Sequence, residues 1–255
     1  MTEDLGGRTV LLTGASKGIG AATARALGEA GAHVVAHFGS DEEGARAAVA
    51  TVPEERRLLV QADLGAPGGA RRLWEAAVGW RGRVDVLVNN AAVMEHVPLA
   101  ASDEEWRRGW DRSLQVNVLA PAALTRDAVR HFLDHGGGVV ITMSSWVAQR
   151  GPGDEGLIAY AASKAAVKAL TQTVARHHAK DGVLAYVLTP GVVRTRLSEL
   201  AAARTGGEEA VTASLAMGEW VPPEELAELV VFLASGRARH LTGATLDVNG
   251  ATYVR

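Results

Sequence analysis

The sequence predicts a single α/β domain over residues 1–255, with a doubly wound, seven-stranded parallel sheet, and three observations lead to this fold class. Short runs rich in β-branched residues and leucine alternate with longer helical patterns, as in a sheet covered on both faces. An apolar fraction of 47% suits one large core. No linker or repeat interrupts the alternation. The predicted strands are residues 9–13, 33–37, 58–62, 84–89, 139–144, 183–189 and 245–248.

Local signals predict where the helices begin and end. The first helix is expected to begin near Gly18 and to end at Gly31, which can adopt the left-handed conformation that closes a helix. Ser102 and Glu105 have the spacing of a capping box and predict a helix that runs towards Gly136. Ligands are expected at the carboxyl ends of the strands, near the point where the strand order reverses.

One segment, residues 192–220, does not follow the strand and helix alternation. It has weak strand character, it contains the alanine- and glycine-rich sequence AAARTGG, and it comes directly after a strand. A mobile lid over a substrate and a pair of short surface helices are the two interpretations of this pattern.

Composition excludes several classes of function. A net charge of −3 and a pI near 6.2 argue against nucleic acid or a membrane surface as partner, which leaves small molecules and other chains. The absence of cysteine excludes disulfides and thiol nucleophiles, is typical of a cytoplasmic protein, and means that redox chemistry requires a cofactor. Residues 1–8 are too polar for a signal peptide, and no apolar run could span a bilayer. His177 and His178 diverge by about 100° on a helix, so no metal site is expected.

The sequence TGASKGIG at residues 13–20 follows the first predicted strand and opens a helix. Gly14, Gly18 and Gly20 permit a tight turn and a close backbone approach, and the free N–H groups of a helix N-terminus attract a pyrophosphate. Such a turn on its own is weak evidence, because an ordinary strand-to-helix loop can have the same spacing.

Two polar positions after later strands add to this evidence. Asp63 could accept hydrogen bonds from an adenine amino group, although aspartate is also common as a helix cap. Asn89 and Asn90 could brace the glycine turn and flank the cofactor, or form an ordinary asparagine turn.

Tyr160 and Lys164 stand four residues apart and therefore lie on one face of a helix. A nearby cation lowers the pKa of a phenol, so Lys164 is expected to activate Tyr160 for proton transfer, although a plain surface pair has the same spacing. Ser145 ends the fifth predicted strand, where its hydroxyl could polarise a substrate oxygen. Ser144 is the rival for that role, and strand alternation allows only one of the two to face the site.

Asn117 lies within the helix that Ser102 opens, four residues before Pro121. Because proline has no N–H, the carbonyl of Asn117 loses its usual helical partner. We expect this carbonyl to hold a water that leads to Lys164, the alternative being a simple proline kink.

Together these residues resemble the short-chain dehydrogenases/reductases over essentially the whole chain. The pieces that match are residues 13–20, Asp63, residues 89–92, Asn117, Ser145, Tyr160 with Lys164, and Pro190-Gly191 with Thr195. Ala92, Ala148 and Ala251 stand where the family usually has glycine, and residues 146–159 form a slightly expanded loop. The final strand is particularly similar to that of 3-oxoacyl-[acyl-carrier-protein] reductases and related sugar or polyketide reductases.

The resemblance implies a Rossmann-like fold and a catalytic tetrad of Asn117, Ser145, Tyr160 and Lys164. It also implies that Thr195 holds the nicotinamide carboxamide. The residues expected to contact the cofactor are Gly14, Ser16, Lys17, Gly18, Ile19, Gly20, Phe38, Ser40, Asp63, Leu64, Asn90, Ala91, Ala92, Tyr160, Lys164, Pro190, Gly191, Val193 and Thr195.

The end of the second strand predicts which dinucleotide is used. NAD-specific enzymes tend to place an acidic residue there, and the aligned position holds Phe38. Lys17 and Ser40 could both reach a ribose 2′-phosphate, which favours NADP(H). NAD(H) is the alternative, because Asp41 is close enough to act as a displaced acidic discriminator.

The function expected from these features is the NAD(P)(H)-dependent interconversion of a carbonyl and a secondary alcohol, with an NADPH-dependent ketone or 3-oxoacyl reductase as the first choice. An NAD-dependent sugar or alcohol dehydrogenase is the alternative, and a dinucleotide-binding sensor without turnover is a hypothesis from a different class. Alanine-rich helical surface predicts a homodimer or homotetramer. Trp146 and Trp220 could wall an apolar substrate pocket.

Overall fold

The computed structural model describes residues 4–255, and its centre is a parallel β-sheet. Residues 1–3, which begin the segment where no signal peptide is expected, lie outside the described residues. The strands are β1 (Thr9–Leu12), β2 (His33–Phe38), β3 (Arg57–Gln61), β4 (Val86–Asn89), β5 (Gly138–Met143), β6 (Val183–Pro190) and β7 (Thr245–Val248). Within residues 4–255 they form a seven-stranded sheet in the order β3-β2-β1-β4-β5-β6-β7. The predicted fold class is confirmed.

Helices cover both faces of this sheet. They are α1 (Gly18–Glu29), α2 (Glu42–Ala48), α3 (Gly69–Arg81), α4 (Asp103–Leu114), α5 (Ala120–Asp134), α6 (Val147–Arg150), α7 (Ile158–His178), α8 (Arg196–Ala202), α9 (Gly207–Ser214) and α10 (Pro223–Ala234). Short 3₁₀ turns lie at Glu54–Arg56, Glu155–Leu157, Ala179–Asp181 and Arg239–Leu241, and a π-helical turn lies at Gln115–Leu119. No helix within residues 4–255 has the length and hydropathy needed to cross a membrane.

Side-chain alternation along the strands divides the core into two layers. On β1, Val10 and Leu12 pack into one layer and Leu11 packs into the other. The first layer lies against α1 and α10, and Leu27 and Leu226 are fully buried in it. Because both faces are covered, the central strands are apolar throughout, which is why they appear in the sequence as continuous hydrophobic runs.

The predicted helix boundaries agree with the structure at two places. Helix α1 ends at Glu29 and is followed by Gly31 with φ of 88°. Ser102 and Glu105 form a reciprocal capping box at the start of α4. The predicted helix from Ser102 towards Gly136 is interrupted, however, because the π-helical turn separates α4 from α5.

The topology brings the polar loops together at one edge of the sheet. The strand order reverses between β1 and β4, which are neighbours, so a crevice opens beyond their carboxyl ends. The glycine turn follows β1, Asn90 follows β4 and Ser145 follows β5. The predicted functional residues therefore converge although they are far apart in the chain.

Residues 192–220 fold into α8 and α9, as the interpretation with two short helices expects. An isolated bridge between Val193 and Val221 joins the beginning of this segment to the residue that follows its end. Whether this segment moves as a lid stays a prediction.

Candidate active site

The glycine-rich segment 13–20 forms a tight turn between β1 and α1. Gly14 has φ of 71°, and a Cβ on it would lie 2.9 Å from the Cα of Ala91. A Cβ on Gly20 would overlap the carbonyl oxygen of Gly14, so helix and turn can approach only because both residues are glycine. Lys17, at the N-cap of α1, makes no side-chain cap hydrogen bond. The first N–H groups of α1 are therefore left for an anion, and the turn fits a dinucleotide pyrophosphate.

Asn90 braces this turn from the neighbouring strand. Its side-chain amide donates to the carbonyl oxygens of Thr13 at 2.9 Å and Gly14 at 3.1 Å. The Thr13 hydroxyl in return accepts the Asn90 backbone N–H at 2.9 Å. The bracing role predicted for the asparagine pair is thus found for Asn90, whereas Asn89 is buried and donates to the Thr125 hydroxyl.

A cavity of about 530 Å³ extends from the glycine turn to the start of α7. Its size is within the range of sites that bind small organic ligands. The predicted cofactor residues that line it are Gly14, Ser16, Lys17, Gly18, Ile19, Gly20, Ser40, Asp63, Leu64, Asn90, Ala91, Ala92, Tyr160, Lys164, Pro190, Gly191, Val193 and Thr195.

Phe38 is the exception among the predicted cofactor residues. It is buried, and its neighbours His37 and Gly39 line the cavity instead. Successive side chains of a strand point to opposite faces, so Phe38 faces away when His37 faces the cavity. The expectation that Phe38 is part of the cavity is therefore corrected: His37 and Gly39 form the wall at this position.

An ion pair stands at the outer end of the cavity. The Lys17 ammonium lies 3.0 Å from the Asp41 carboxylate, and Ser40 lines the wall beside them. Asp41 also caps α2, where its side chain accepts the Gly44 N–H at 3.0 Å. The Gly44 N–H, and then Lys17, lower the pKa of Asp41, so this carboxylate is ionised at neutral pH.

Asp63 lies on the cavity wall but does not cap a helix. Its carboxylate accepts the Gly65 N–H at 2.8 Å, and the N-cap of α3 is Gly68. Of the two interpretations of Asp63, the helix cap is therefore excluded. Its position on the wall is compatible with contact to a nucleotide base.

Tyr160 and Ser145 meet at the inner end of the cavity. Tyr160 lies in the first turn of α7, Ser145 follows β5, and their side chains form a hydrogen bond. Ser144 instead donates to the backbone carbonyl of Lys164 at 2.7 Å. The alternation expected between the two serines is present, and Ser145 is the one that faces Tyr160.

The electrostatics of Tyr160 differ from the prediction. Burial raises the pKa of Tyr160 to about 12, and the hydrogen bond with Ser145 opposes this shift. Burial likewise lowers the pKa of Lys164 to about 8. The Lys164 ammonium donates to the Met143 carbonyl oxygen at 2.8 Å and lies 5.7 Å from the centre of the Tyr160 ring. The net lowering of the Tyr160 pKa that Lys164 was expected to cause is not found, because burial outweighs it and the ammonium is directed to a carbonyl.

Asn117 is buried in the π-helical turn and does not line the cavity. Its side chain accepts the Val93 N–H at 2.9 Å and donates to the Val93 carbonyl at 2.8 Å and the Ser163 hydroxyl at 3.0 Å. The turn is closed by a bond from the Ala120 N–H to the Gln115 carbonyl. A widened helical turn, rather than a simple proline kink, thus precedes Pro121; the water expected on the Asn117 carbonyl stays a prediction.

Helix α8 forms a further wall of the cavity, and Thr195 at its N-cap lies beside Gly18 of the glycine turn. Thr195 caps α8 by accepting the Ser198 N–H at 3.3 Å, and it also lines the cavity. Leu197 and Leu200 add apolar surface to the same wall although both remain partly exposed to solvent. This wall is formed by residues 192–220, the segment for which a lid is one interpretation.

The tryptophans proposed as walls of a substrate pocket have a different role. Trp220 is 2% exposed and forms the centre of a small apolar cluster with Ala202 and Leu215, against which Trp146 packs. Neither tryptophan lines the main cavity. The prediction is therefore wrong, and Trp220 stabilises the folded form of residues 192–220.

Sequence reasoning missed several residues of the site. His37, Arg112, Leu197 and Leu200 line the cavity without belonging to any recognised motif. His37 lies within an apolar strand and Arg112 in the last turn of a charged helix, so neither carries a local signal. Only the strand order and the packing of α4 and α8 place them at the cavity.

The parallel sheet has a phosphate-binding glycine turn at its switch point, and a buried tyrosine, lysine and serine lie at the same edge. These features define a nucleotide-dependent α/β oxidoreductase. Comparison with known proteins identifies the family. The model of a family described as enoyl-(acyl carrier protein) reductase matches residues 14–251. The chain belongs to the short-chain dehydrogenase/reductase family.

Three relatives illustrate the range of this family. The chain is 39% identical to 3beta-hydroxysteroid dehydrogenase 1 of Eggerthella lenta, over 98% of this chain and 95% of that protein. A candidate NAD(P)-dependent gluconate 5-dehydrogenase from Beutenbergia cavernae, with bound NADP at low occupancy, superimposes with a TM-score of 0.89 at 35% identity and covers 99% of both chains. The 3-ketoacyl-(acyl-carrier-protein) reductase from Brucella melitensis, complexed with NADH, superimposes with a TM-score of 0.86 at 31% identity, over 98% of this chain and 100% of that one.

Proposed function

We propose that this protein is an NADPH-dependent reductase that converts a ketone or a 3-oxoacyl group to a secondary alcohol. One observation carries the proposal: the Tyr160 phenol is hydrogen-bonded to Ser145 at the inner end of the cavity, and the Lys164 ammonium lies 5.7 Å from the centre of the Tyr160 ring. A tyrosine phenol carries its proton at neutral pH, so Tyr160 can donate a proton to the substrate oxygen, which is the step that carbonyl reduction requires.

A bound nicotinamide would supply the hydride that reduces the carbonyl carbon. Tyr160 donates its phenolic proton to the alkoxide oxygen as negative charge develops there. The Ser145 hydroxyl holds the same oxygen and orients the Tyr160 phenol. Alcohol oxidation is the reverse of these steps, with Tyr160 as the base.

Lys164 and Asn117 support Tyr160 and Ser145. The Lys164 ammonium is buried, and its pKa of about 8 leaves it largely protonated at pH 7, so its charge favours the phenolate that forms after proton transfer. Asn117 makes three hydrogen bonds to Val93 and Ser163 and so fixes the loop after β4 against α7. It is a positioning residue, since its side chain is buried away from the cavity.

The glycine turn would hold the pyrophosphate of the dinucleotide, Asp63 and Leu64 would contact its adenine base, and Thr195 would hold its nicotinamide carboxamide. Lys17 and Ser40 at the outer end favour NADP(H), because a ribose 2′-phosphate offers the Lys17 ammonium a second anionic partner beside Asp41. The exposed ion pair with Asp41 is weak, so Lys17 is free to change partner.

A direct assay tests the function. We expect oxidation of NADPH with at least one member of a panel containing a 3-oxoacyl thioester, a 3-oxosteroid, a 5-oxo sugar acid and a cyclic ketone. Tyr160→Phe, which keeps the ring and removes the transferable proton, serves as the inactive control. Binding of NADPH without turnover of any ketone would contradict the proposal and favour a dinucleotide sensor.

An NAD-linked sugar or alcohol dehydrogenase is the second candidate, and Asp41 is the observation that favours it. An ionised carboxylate on the cavity wall can accept hydrogen bonds from ribose hydroxyls and repel a 2′-phosphate. The preferred cofactor and the kcat/KM of reduction against oxidation at pH 7 separate the two candidates.

Two further features belong to the proposed enzyme. Residues 192–220 act as a lid, since α8 adds Leu197 and Leu200 to the cavity wall and is linked to the remainder of the fold by short loops. The protein works as a homodimer or homotetramer in the cytoplasm, with Leu119 and Leu133 exposed on the surface of α5 and the turn before it.

A further inference from the structure

His37 is a buried histidine at the cavity whose two ring nitrogens both contact backbone groups. Its side chain is 3% exposed. The Gly14 N–H donates to Nδ1 at 3.0 Å, and Nε2 lies 3.0 Å from the carbonyl oxygen of Ala62. The first contact requires a lone pair on Nδ1 and the second requires a proton on Nε2, so these partners select one neutral tautomer.

These two bonds connect three elements of the dinucleotide site. Gly14 belongs to the phosphate turn, His37 to β2, and Ala62 to the loop that begins after β3. The carbonyl oxygen of Gly14 accepts from the Asn90 side chain, so the N–H and the C=O of this one glycine are held from opposite sides. We propose that His37, kept neutral, is a positioning residue for the dinucleotide, holding the phosphate turn against β3; this rests on the proposed function.

Charge near His37 does not oppose the neutral form. Lys17 on the turn, Asp41 at the start of α2, Asp63 after β3 and Arg112 on α4 share the cavity wall with it. The pKa of His37 is lowered by burial, and the bond to the Ala62 carbonyl opposes the shift. Neither cause is a charged side chain. Protonation would place an Nδ1–H against the Gly14 N–H, so two donors would face each other and the turn would lose its anchor.

Two substitutions separate this role from simple packing. His37→Asn places a side-chain oxygen near the position of Nδ1 and so keeps an acceptor for the Gly14 N–H. His37→Gln reaches towards Ala62 and keeps the donor instead. NADPH binding is measured by fluorescence at pH 7.5. We expect His37→Gln to bind NADPH about tenfold more weakly than the wild type, and His37→Asn to avoid most of that loss. Equal weakening in both variants would overturn the proposal, because packing alone would then explain His37.

The neutral form is tested without any cofactor. The unfolded chain binds a proton at its usual pKa of 6.5, whereas the folded chain binds it only at lower pH. Stability is therefore present above pH 6.5 and is lost as the pH falls below it. As the pH is lowered from 7.5 to 5.5, the equilibrium constant for unfolding should rise by up to about tenfold more in the wild type than in His37→Asn.

The exposed His177 is the matched control, and His177→Asn should keep the wild-type pH dependence. If the stability of His37→Asn depended on pH as that of the wild type does, the proposal that His37 is kept neutral would be overturned. The proposed function fails separately, if wild-type protein does not bind NADPH at pH 7.5.

Discussion

Replacing Lys17 by alanine tests how the site selects between NADP(H) and NAD(H). In the wild type the Lys17 ammonium lies 3.0 Å from Asp41, and 70% of its side chain is exposed. The substitution removes the proposed partner of a 2′-phosphate and leaves the Asp41 carboxylate without a compensating charge. Both changes act against NADPH and neither acts against NADH.

The magnitude follows from the exposure of this contact. A charge-assisted hydrogen bond to a phosphate corresponds to roughly a ten- to hundredfold preference when it is shielded from water. Solvent screening at Lys17 reduces this, so we expect the ratio of kcat/KM for NADPH over NADH to fall about tenfold in Lys17→Ala.

Two variants make the experiment a controlled one. Asp41→Asn removes the carboxylate charge but keeps an acceptor for the Gly44 N–H, since asparagine caps helices as well as aspartate does. We expect it to raise the preference for NADPH. Arg25→Ala removes a cation from α1 that pairs with Glu224, and it should leave the ratio unchanged. A wild type that favours NADH, or an unchanged ratio in Lys17→Ala, would refute the reasoning.

Further predictions concern catalysis, stability and assembly. Tyr160→Phe should abolish turnover while NADPH binding, measured by fluorescence, is largely kept; wild-type turnover in this variant would require another proton donor. Lys164→Met should reduce both kcat and NADPH affinity, and a loss confined to kcat would limit Lys164 to proton transfer. Ala251 has φ of 57°, so Ala251→Gly should relieve strain and stabilise the fold by about 0.5–1 kcal/mol, seen as a Tm about 2 °C higher; a lower Tm would contradict this. Light scattering at micromolar concentration should show a dimer or tetramer, and Leu119→Glu should weaken it if the exposed α5 surface is the interface; a wild-type monomer would exclude this assembly.

Much of the fold was predictable because its signals are local. Strands buried on both faces require continuous apolar runs, and glycines with positive φ mark helix ends such as Gly31. The glycine turn, Asn90 and Ser145 each follow from the same logic, since polar residues at strand ends collect at one edge of a parallel sheet. Their convergence could be predicted without coordinates.

Other features depend on neighbours that are distant in the chain. The spacing of Tyr160 and Lys164 predicts their shared helix face, but the pKa of each is governed mainly by burial, which the spacing does not predict. Asn117 likewise has no local partner, and the contacts of its side chain come from the loop after β4 and from α7.

The sequence by itself determined the fold class, the glycine turn and the edge of the sheet where the reactive residues meet, because periodicity, backbone freedom and parallel topology are properties of short segments. Only the tertiary structure decided that His37 rather than Phe38 faces the cavity and that Asp41 pairs with Lys17. The direction of a strand's side chains and the partner of an ion both depend on which elements pack together, and that information is distributed over the whole chain.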